Sequence, residues 1–377
     1  MNAVDPIYLD YNATTPVDPR VLEAMLPWLT THFGNPSSPH VYGRRAREAV
    51  ETARGQVAAL VGAEPAGVVF TSGGTEANNH ALQGAVRLRG GRHVVTSAVE
   101  HPAVLAVCRD LERMGAVTTL LPVDRDGRVD AAAAAGAIGP GTVLVSLMLA
   151  NNEVGTLQPV AEVARLARAA GALSHTDCAQ AVGKVPVRLD DLGVDMICLA
   201  GHKLYAPKGV GALCLRPGLA LPNLMCGAGH EGGRRPGTEN VAAIVGLGEA
   251  CVLAGRDLDQ EGRRLAGLRD RLAAALLAEF PDAVVHGAGA PRLPNTLSIA
   301  FPGRTAPAIL AHLDSVAVSA GAACHGDGDV GSHVLAAMRV PPRVARGTLR
   351  ITLGRMTTAA ETEAAAAAVA AAVRAAG

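Results

Sequence analysis

At 377 residues the chain is long enough for two or three folding units around a large buried core. Hydrophobic residues make up 49% and charged residues 18%, which excludes a disordered chain, and no apolar run approaches the roughly 20 residues of a membrane span. The 34 basic and 34 acidic residues cancel, so overall charge recruits neither nucleic acid nor an anionic membrane surface.

Met1-Asn2-Ala3-Val4-Asp5 carries no basic-then-apolar leader, so cytoplasmic residence is the expectation. From Val68 to about Leu215, short apolar runs alternate with Ala/Arg-rich helical patterns. That alternation predicts a major α/β unit with a mostly parallel sheet. Strands are predicted at 67–71, 93–97, 143–148, 172–177, 196–200 and 211–215. The stretch 240–279 reads as long helices, and from Leu297 strand, helix and strand patterns return before an alanine-rich helix at Thr358. The C-terminal part thus reads as a second, smaller α/β domain.

In open parallel sheets, ligands bind beyond the carboxyl ends of the strands. Asp177 closes one predicted strand and His202-Lys203 follows another. The chain holds only three lysines, Lys184, Lys203 and Lys208, and arginine supplies every other basic side chain. Arginine stays protonated and cannot form a Schiff base, so a retained lysine is a candidate for amine chemistry. Lys184 and Lys208 could equally be surface survivors. The seven cysteines show no paired or metal-type spacing, which predicts neither a disulfide framework nor a metal site.

Thr71-Ser72-Gly73-Gly74-Thr75-Glu76 runs from a strand into a helical pattern. Such a turn presents backbone amides to a phosphate, or serves only as a tight connection. Asp177 and Lys203 would supply the carboxylate and the amine that pyridoxal phosphate (PLP) needs, although Asp177 on spacing alone fits a helix cap or an ion pair. Cys324 begins a Gly-rich stretch with His325 beside it, where an accessible thiolate would be reactive. Arg350 in an alternating strand pattern suits a two-pronged grip on a carboxylate or a solvent-facing position. His101, after Val99-Glu100, reads equally as a core or a surface histidine.

Taken together these phrases resemble the cysteine desulfurases and selenocysteine lyases of the class V aminotransferase group. The likeness runs from Tyr8-Leu9-Asp10-Tyr11-Asn12-Ala13-Thr14-Thr15-Pro16 through Gly34-Asn35-Pro36, the Gly-Gly-Thr-Glu phrase, Glu100-His101 and Asn151-Asn152-Glu153. It continues through His175-Thr176-Asp177, Gly201-His202-Lys203, Arg235-Pro236-Gly237-Thr238-Glu239-Asn240 and Cys324 to Arg350-Ile351-Thr352-Leu353-Gly354-Arg355.

The resemblance implies the PLP-dependent transferase fold of type I, with a large domain over 15–250 and a small domain of 1–14 plus 251–377 that carries the cysteine loop. It implies PLP as cofactor, with Lys203 as its Schiff-base lysine, Asp177 as partner of the pyridine nitrogen, His101 stacked over the ring and Gln180 on the phenolic oxygen. Gly74, Thr75 and His202 would contact the phosphate, and Thr238 would reach it from the second subunit of a homodimer. Asn152 and Arg350 would hold the substrate carboxylate, and Cys324 would be the nucleophile that takes sulfur or selenium.

The implied activity is removal of sulfur from L-cysteine, or selenium from L-selenocysteine, giving alanine and a Cys324 persulfide for an acceptor protein that the sequence does not identify. Gly321-Ala322-Ala323-Cys324-His325 and Arg292-Leu293-Pro294-Asn295-Thr296 look closer to selenocysteine lyases than to housekeeping desulfurases. The wider availability of cysteine puts the desulfurase first. Two departures stand out: Ala200 where many desulfurases place a phosphate-binding serine, and Cys178 where alanine is usual. A non-catalytic sulfur carrier is the alternative of another class, and retention of Lys203 argues against it.

Overall fold

The computed structural model describes residues 5–320 and 331–377. Its strands are β1 (Ile7–Tyr8), β2 (Val68–Thr71), β3 (His93–Ser97), β4 (Val117–Leu121), β5 (Thr142–Ser146), β6 (Leu173–Asp177) and β7 (Met196–Ala200). They continue with β8 (Gly211–Leu215), β9 (Val284–Val285), β10 (Thr296–Ala300), β11 (Val316–Ala317), β12 (Ser319–Ala320) and β13 (Thr348–Thr352).

A seven-stranded sheet has the order β2-β8-β7-β6-β5-β3-β4. The neighbours from β7 to β4 are parallel, and only β8 runs against its two neighbours. Every residue of β5, β6, β7 and β8 is buried, as expected where both faces of a parallel sheet are covered. One covering element is the helix Gly74–Arg89, whose Ala77, Ala81, Leu82 and Ala85 pack with Leu144, Leu173 and Met196. On the other face, Val57, Val61 and Leu247 join Val145, Ile197 and Leu199.

A four-stranded antiparallel sheet, β12-β13-β10-β9, forms a second layer. Its core is Leu297, Ile299, Leu349 and Ile351 against Leu268, Leu272 and Leu276, with Val369 and Val373 of the helix Ala359–Ala375. That last helix opens with a full capping box between Thr358 and Glu361.

The stretch expected to hold several long helices is one 39-residue helix, Val241–Glu279. Its first half, with Ile244, Leu247 and Ala250, is buried in the large core, and its second half, with Leu265, Leu268 and Leu272, in the smaller one. β4 was not anticipated. It is the edge strand of the large sheet, and Val117 and Leu120 remain exposed there.

The N-terminal segment stitches the layers together. β1 pairs with β11 in parallel, Asp10 bridges to Thr352, and the Thr15 amide donates to the His202 carbonyl at 3.0 Å.

Candidate active site

Of the predicted site residues, Gly74, Thr75, His101, Asp177, Gln180, His202 and Lys203 lie at or beyond the carboxyl ends of β2, β3, β6 and β7, and Arg350 reaches Asn152 from the second layer. Lys203 ends a short turn, Gly201–Lys203, that follows β7. Its Nζ donates to the Asn12 carbonyl at 2.6 Å and the Ala13 carbonyl at 2.7 Å. Burial, followed by the positive charge of Arg350, lowers the Lys203 amine to about 8. A lysine so perturbed loses its proton well below the ordinary lysine range.

Asp177 is the last residue of β6 and is buried. Its Oδ2 accepts from Asn78 Nδ2 and its Oδ1 from the Ala179 amide, both at 2.8 Å. These donors hold the carboxylate in one orientation, and Asn78 Oδ1 is buried with no partner among the described residues.

The Gly73-Gly74 turn opens the helix Gly74–Arg89. Gly73 has φ +152°, where a side chain is disfavoured, and a Cβ on Gly211 would come within 2.7 Å of the Gly73 Cα. A Cβ on Gly74 would lie 3.3 Å from the Ala200 Cβ. The cradle is therefore lined by small groups and backbone amides, the setting that a phosphate requires. Thr75 is exposed at its rim. Glu76 braces the turn by accepting from the Ser72 amide at 2.8 Å and from Arg235 Nε at 2.8 Å. That ion pair ties the 235–240 phrase to the turn, with Thr238 exposed.

His202 is half-buried, its Nδ1 3.1 Å from Thr14 Oγ1. Burial and the nearby lysines lower it to about 4, so it is neutral at physiological pH. His101 caps the helix Pro102–Arg113, its Nδ1 accepting from the Ala103 amide at 3.1 Å, and the residue is exposed at the mouth of the site. Just before it, Glu100 is completely buried and accepts from Ser97 Oγ at 2.7 Å and the Met148 amide at 2.9 Å. Burial pushes its carboxyl up to about 8.

Arg350 lies on β13 and enters the site from the second layer. Its Nη2 donates to Asp10 Oδ1 at 2.9 Å and Ser319 Oγ at 3.1 Å, and Nη1 to the Asn152 carbonyl at 3.3 Å. Its Nε is buried without a partner among the described residues. Cys324 lies outside the described residues.

Asn12 and Lys184 were not assigned roles from sequence. Asn12 is a buried hub: its amide donates to Thr352 Oγ1 at 3.0 Å, Nδ2 to Thr296 Oγ1 at 3.0 Å, and Oδ1 accepts from Asn295 at 3.1 Å. Gln180 Nε2 donates to the Asn12 carbonyl at 2.9 Å, and Lys184 Nζ donates to Gln180 Oε1 at 2.7 Å. Lys184 is therefore part of the site, whereas Lys208 is exposed. The scarcity of lysine was the one signal available for it. Cys178 is buried against the core as a small apolar side chain, and burial raises its thiol far from reactivity.

An amine with a depressed pKa, a fixed buried carboxylate and a small-residue phosphate cradle together fit PLP. Among the described residues no group of His, Cys, Asp and Glu could hold a metal ion, and no helix is long and apolar enough to cross a membrane.

Comparison with known proteins agrees with that fit. The chain is 45% identical over 356 residues to the cysteine desulfurase IscS of Dictyoglomus turgidum, covering 93% of this chain and 90% of that protein. It is 48% identical over 368 residues to a cysteine desulfurase of Gluconacetobacter diazotrophicus, covering 96% and 91%. The solved structure of a NifS-like protein superposes with a TM-score of 0.91 at 35% identity, covering 98% of this chain and 99% of that one. Residues 7–364 match the aminotransferase class-V family, and the chain belongs to that family.

Proposed function

We propose that this chain is a PLP-dependent cysteine desulfurase that removes sulfur from L-cysteine, releases L-alanine and holds the sulfur as a Cys324 persulfide for an acceptor protein. The observation that carries this reading is the placement of Asp177 at the carboxyl end of β6 and of Lys203 just past the carboxyl end of the adjacent β7. The near full-length likeness to proteins named cysteine desulfurase supplies the substrate. The selenocysteine alternative gains nothing from these relatives.

When bound, PLP supplies an electron sink that stabilises negative charge at the substrate α-carbon. Lys203 would hold the cofactor and, as a free amine, would take the α-proton on Nζ; a pKa near 8 suits that task. Asp177 would hold the proton of the ring nitrogen, Gln180 the phenolic oxygen and His101 the open face of the ring. Gly74, Thr75 and His202 would hold the phosphate, with Thr238 added from a second subunit.

Arg350 and Asn152 would fix the substrate carboxylate, and the Arg350 Nε, without a partner among the described residues, supports this role. The Cys324 thiolate then attacks the substrate sulfur. A sulfur–sulfur bond forms and the carbon–sulfur bond breaks, and the electron pair stays on the three-carbon fragment, which leaves as alanine after protonation.

A homodimer, a cytoplasmic location and the division into 15–250 and 1–14 plus 251–377 belong to the same proposal. Leu22, Leu26 and Leu29 form an exposed stripe on the helix Pro19–Thr30, with Phe33 and Tyr42 exposed as well. An apolar surface of this kind suits a second copy.

The test follows alanine and sulfide from L-cysteine, with L-selenocysteine in parallel, on PLP-loaded protein under reducing conditions. Equal molar alanine and sulfide from the parent chain, and loss of sulfide with the cofactor still bound in Cys324→Ala, support the assignment. Unchanged sulfide production in Cys324→Ala would sink the nucleophile.

A further inference from the structure

Gln180 has an amide with chemically opposite ends, and its orientation decides what it can offer a ligand. It lies four residues before Lys184 in a tight turn, where the Lys184 amide donates to the Ala181 carbonyl at 3.0 Å and the Ala181 amide to the Cys178 carbonyl at 2.9 Å. This turn puts the two side chains on one side. Lys184 Nζ then reaches Gln180 Oε1 at 2.7 Å and Asn12 Oδ1 at 3.5 Å.

An amine donates to that oxygen, and the amide oxygen has no hydrogen to donate in return. The Nε2 end is thereby turned the opposite way, to the Asn12 carbonyl at 2.9 Å. Lys203 Nζ contacts the same carbonyl at 2.6 Å. In PLP the phenolic oxygen sits on the ring carbon next to the one bearing the aldehyde. A group beside the Lys203 amine is thus beside that oxygen once the cofactor is attached.

We propose that Lys184 is a positioning residue that locks the Gln180 amide with its N–H end toward the cofactor's phenolic oxygen. This inference rests on the PLP reading of the site. Without Lys184 only the Asn12 carbonyl, which accepts from Nε2, opposes a turn of the amide that would present its carbonyl to an oxygen carrying negative charge. Asn295, donating to Asn12 Oδ1 at 3.1 Å, keeps the hub from following such a rotation. The charged groups that act on Lys184 are Lys203 and Arg350.

The experiment is a pH titration of the visible absorption of PLP bound to the full chain, before any substrate is added. An N–H donor to the phenolic oxygen stabilises its anionic form and lowers the titration midpoint. In Lys184→Met the midpoint rises by about one unit, the scale of one neighbouring charge or hydrogen bond, while Lys184→Arg stays close to the parent. Gln180→Leu raises the midpoint by itself, and Lys184→Met adds nothing in that background.

A Lys184→Met midpoint equal to the parent's overturns the assignment, as does a shift that adds in full on Gln180→Leu. Gln180→Glu keeps the test alive if Lys184→Met does not fold: with oxygen at both ends it raises the midpoint, and a parental value there also overturns the lock. Failure of the underlying PLP reading looks different, because the parent chain would then show no visible band after incubation with PLP.

Discussion

Asn12 and Lys203 stand 191 positions apart in the chain, and the Asn12 carbonyl oxygen lies 2.6 Å from the Lys203 Nζ. That carbonyl and its neighbour on Ala13 hold the amine beyond the carboxyl end of β7. Burial, followed by Arg350, outweighs the nearby carboxylates Asp10 and Asp177 and lowers the amine to about 8. Only the unprotonated amine condenses with an aldehyde. The rate at which cofactor-free protein takes up PLP should therefore rise with pH to a plateau with a midpoint near 8. A stopped-flow absorbance series checks this, and a midpoint near the ordinary lysine value of about 10.4 would contradict the environment described.

Arg350→Lys tests the carboxylate grip. Lysine keeps the charge and loses the fork that spans Asp10, Ser319 and a substrate oxygen. The KM for L-cysteine should rise by about tenfold, the equivalent of 1.4 kcal/mol, with a smaller effect on kcat. Initial rates of alanine release across cysteine concentrations separate the two parameters.

Glu100→Gln tests a carboxyl that folding keeps protonated. Its folded pKa, about 8, lies above the ordinary value near 4.3, so the folded chain binds a proton that the unfolded chain has released between those limits. The stability contributed by this group is full below about pH 4 and is lost as pH rises toward 8. The neutral glutamine removes that loss. The variant should melt a few degrees above the parent at pH 8, and the gap should shrink at pH 5. Scanning calorimetry at both values decides it.

Ala200→Ser restores a hydroxyl beside Gly74, where the two residues approach closely. One added hydrogen bond to phosphate contributes about 0.5–1.5 kcal/mol, so the PLP dissociation constant should fall by up to roughly tenfold. Equilibrium titration of cofactor-free protein measures it. An unchanged constant would mean that the hydroxyl does not reach the phosphate.

The ends of β5, β7 and β8 were legible because these strands are buried and read as largely apolar runs, whereas β6 carries Ser174, His175, Thr176 and Asp177 in a buried strand. β4 escaped notice because an edge strand with Val117 and Leu120 facing solvent lacks that run. The single helix Val241–Glu279 looked like more than one because the polar stretch around Arg256–Arg263 interrupts its apolar pattern where it passes between two cores. Asp177 and Lys203 could be picked out by their places at strand ends. Lys184 could not, since its surroundings depend on Asn12, 172 positions away.

The stitching of the first segment to β13 sets an order of assembly during synthesis. Asn12 is clamped by Thr296 and Thr352, which belong to β10 and β13, so the carbonyls that hold the Lys203 amine come to rest only after residue 352 has left the ribosome. A nascent chain can build the large sheet early and still lack a finished seat for its cofactor. Loading is thereby deferred until translation is almost over, and chains stalled before β13 should take up PLP poorly although Lys203 is already present.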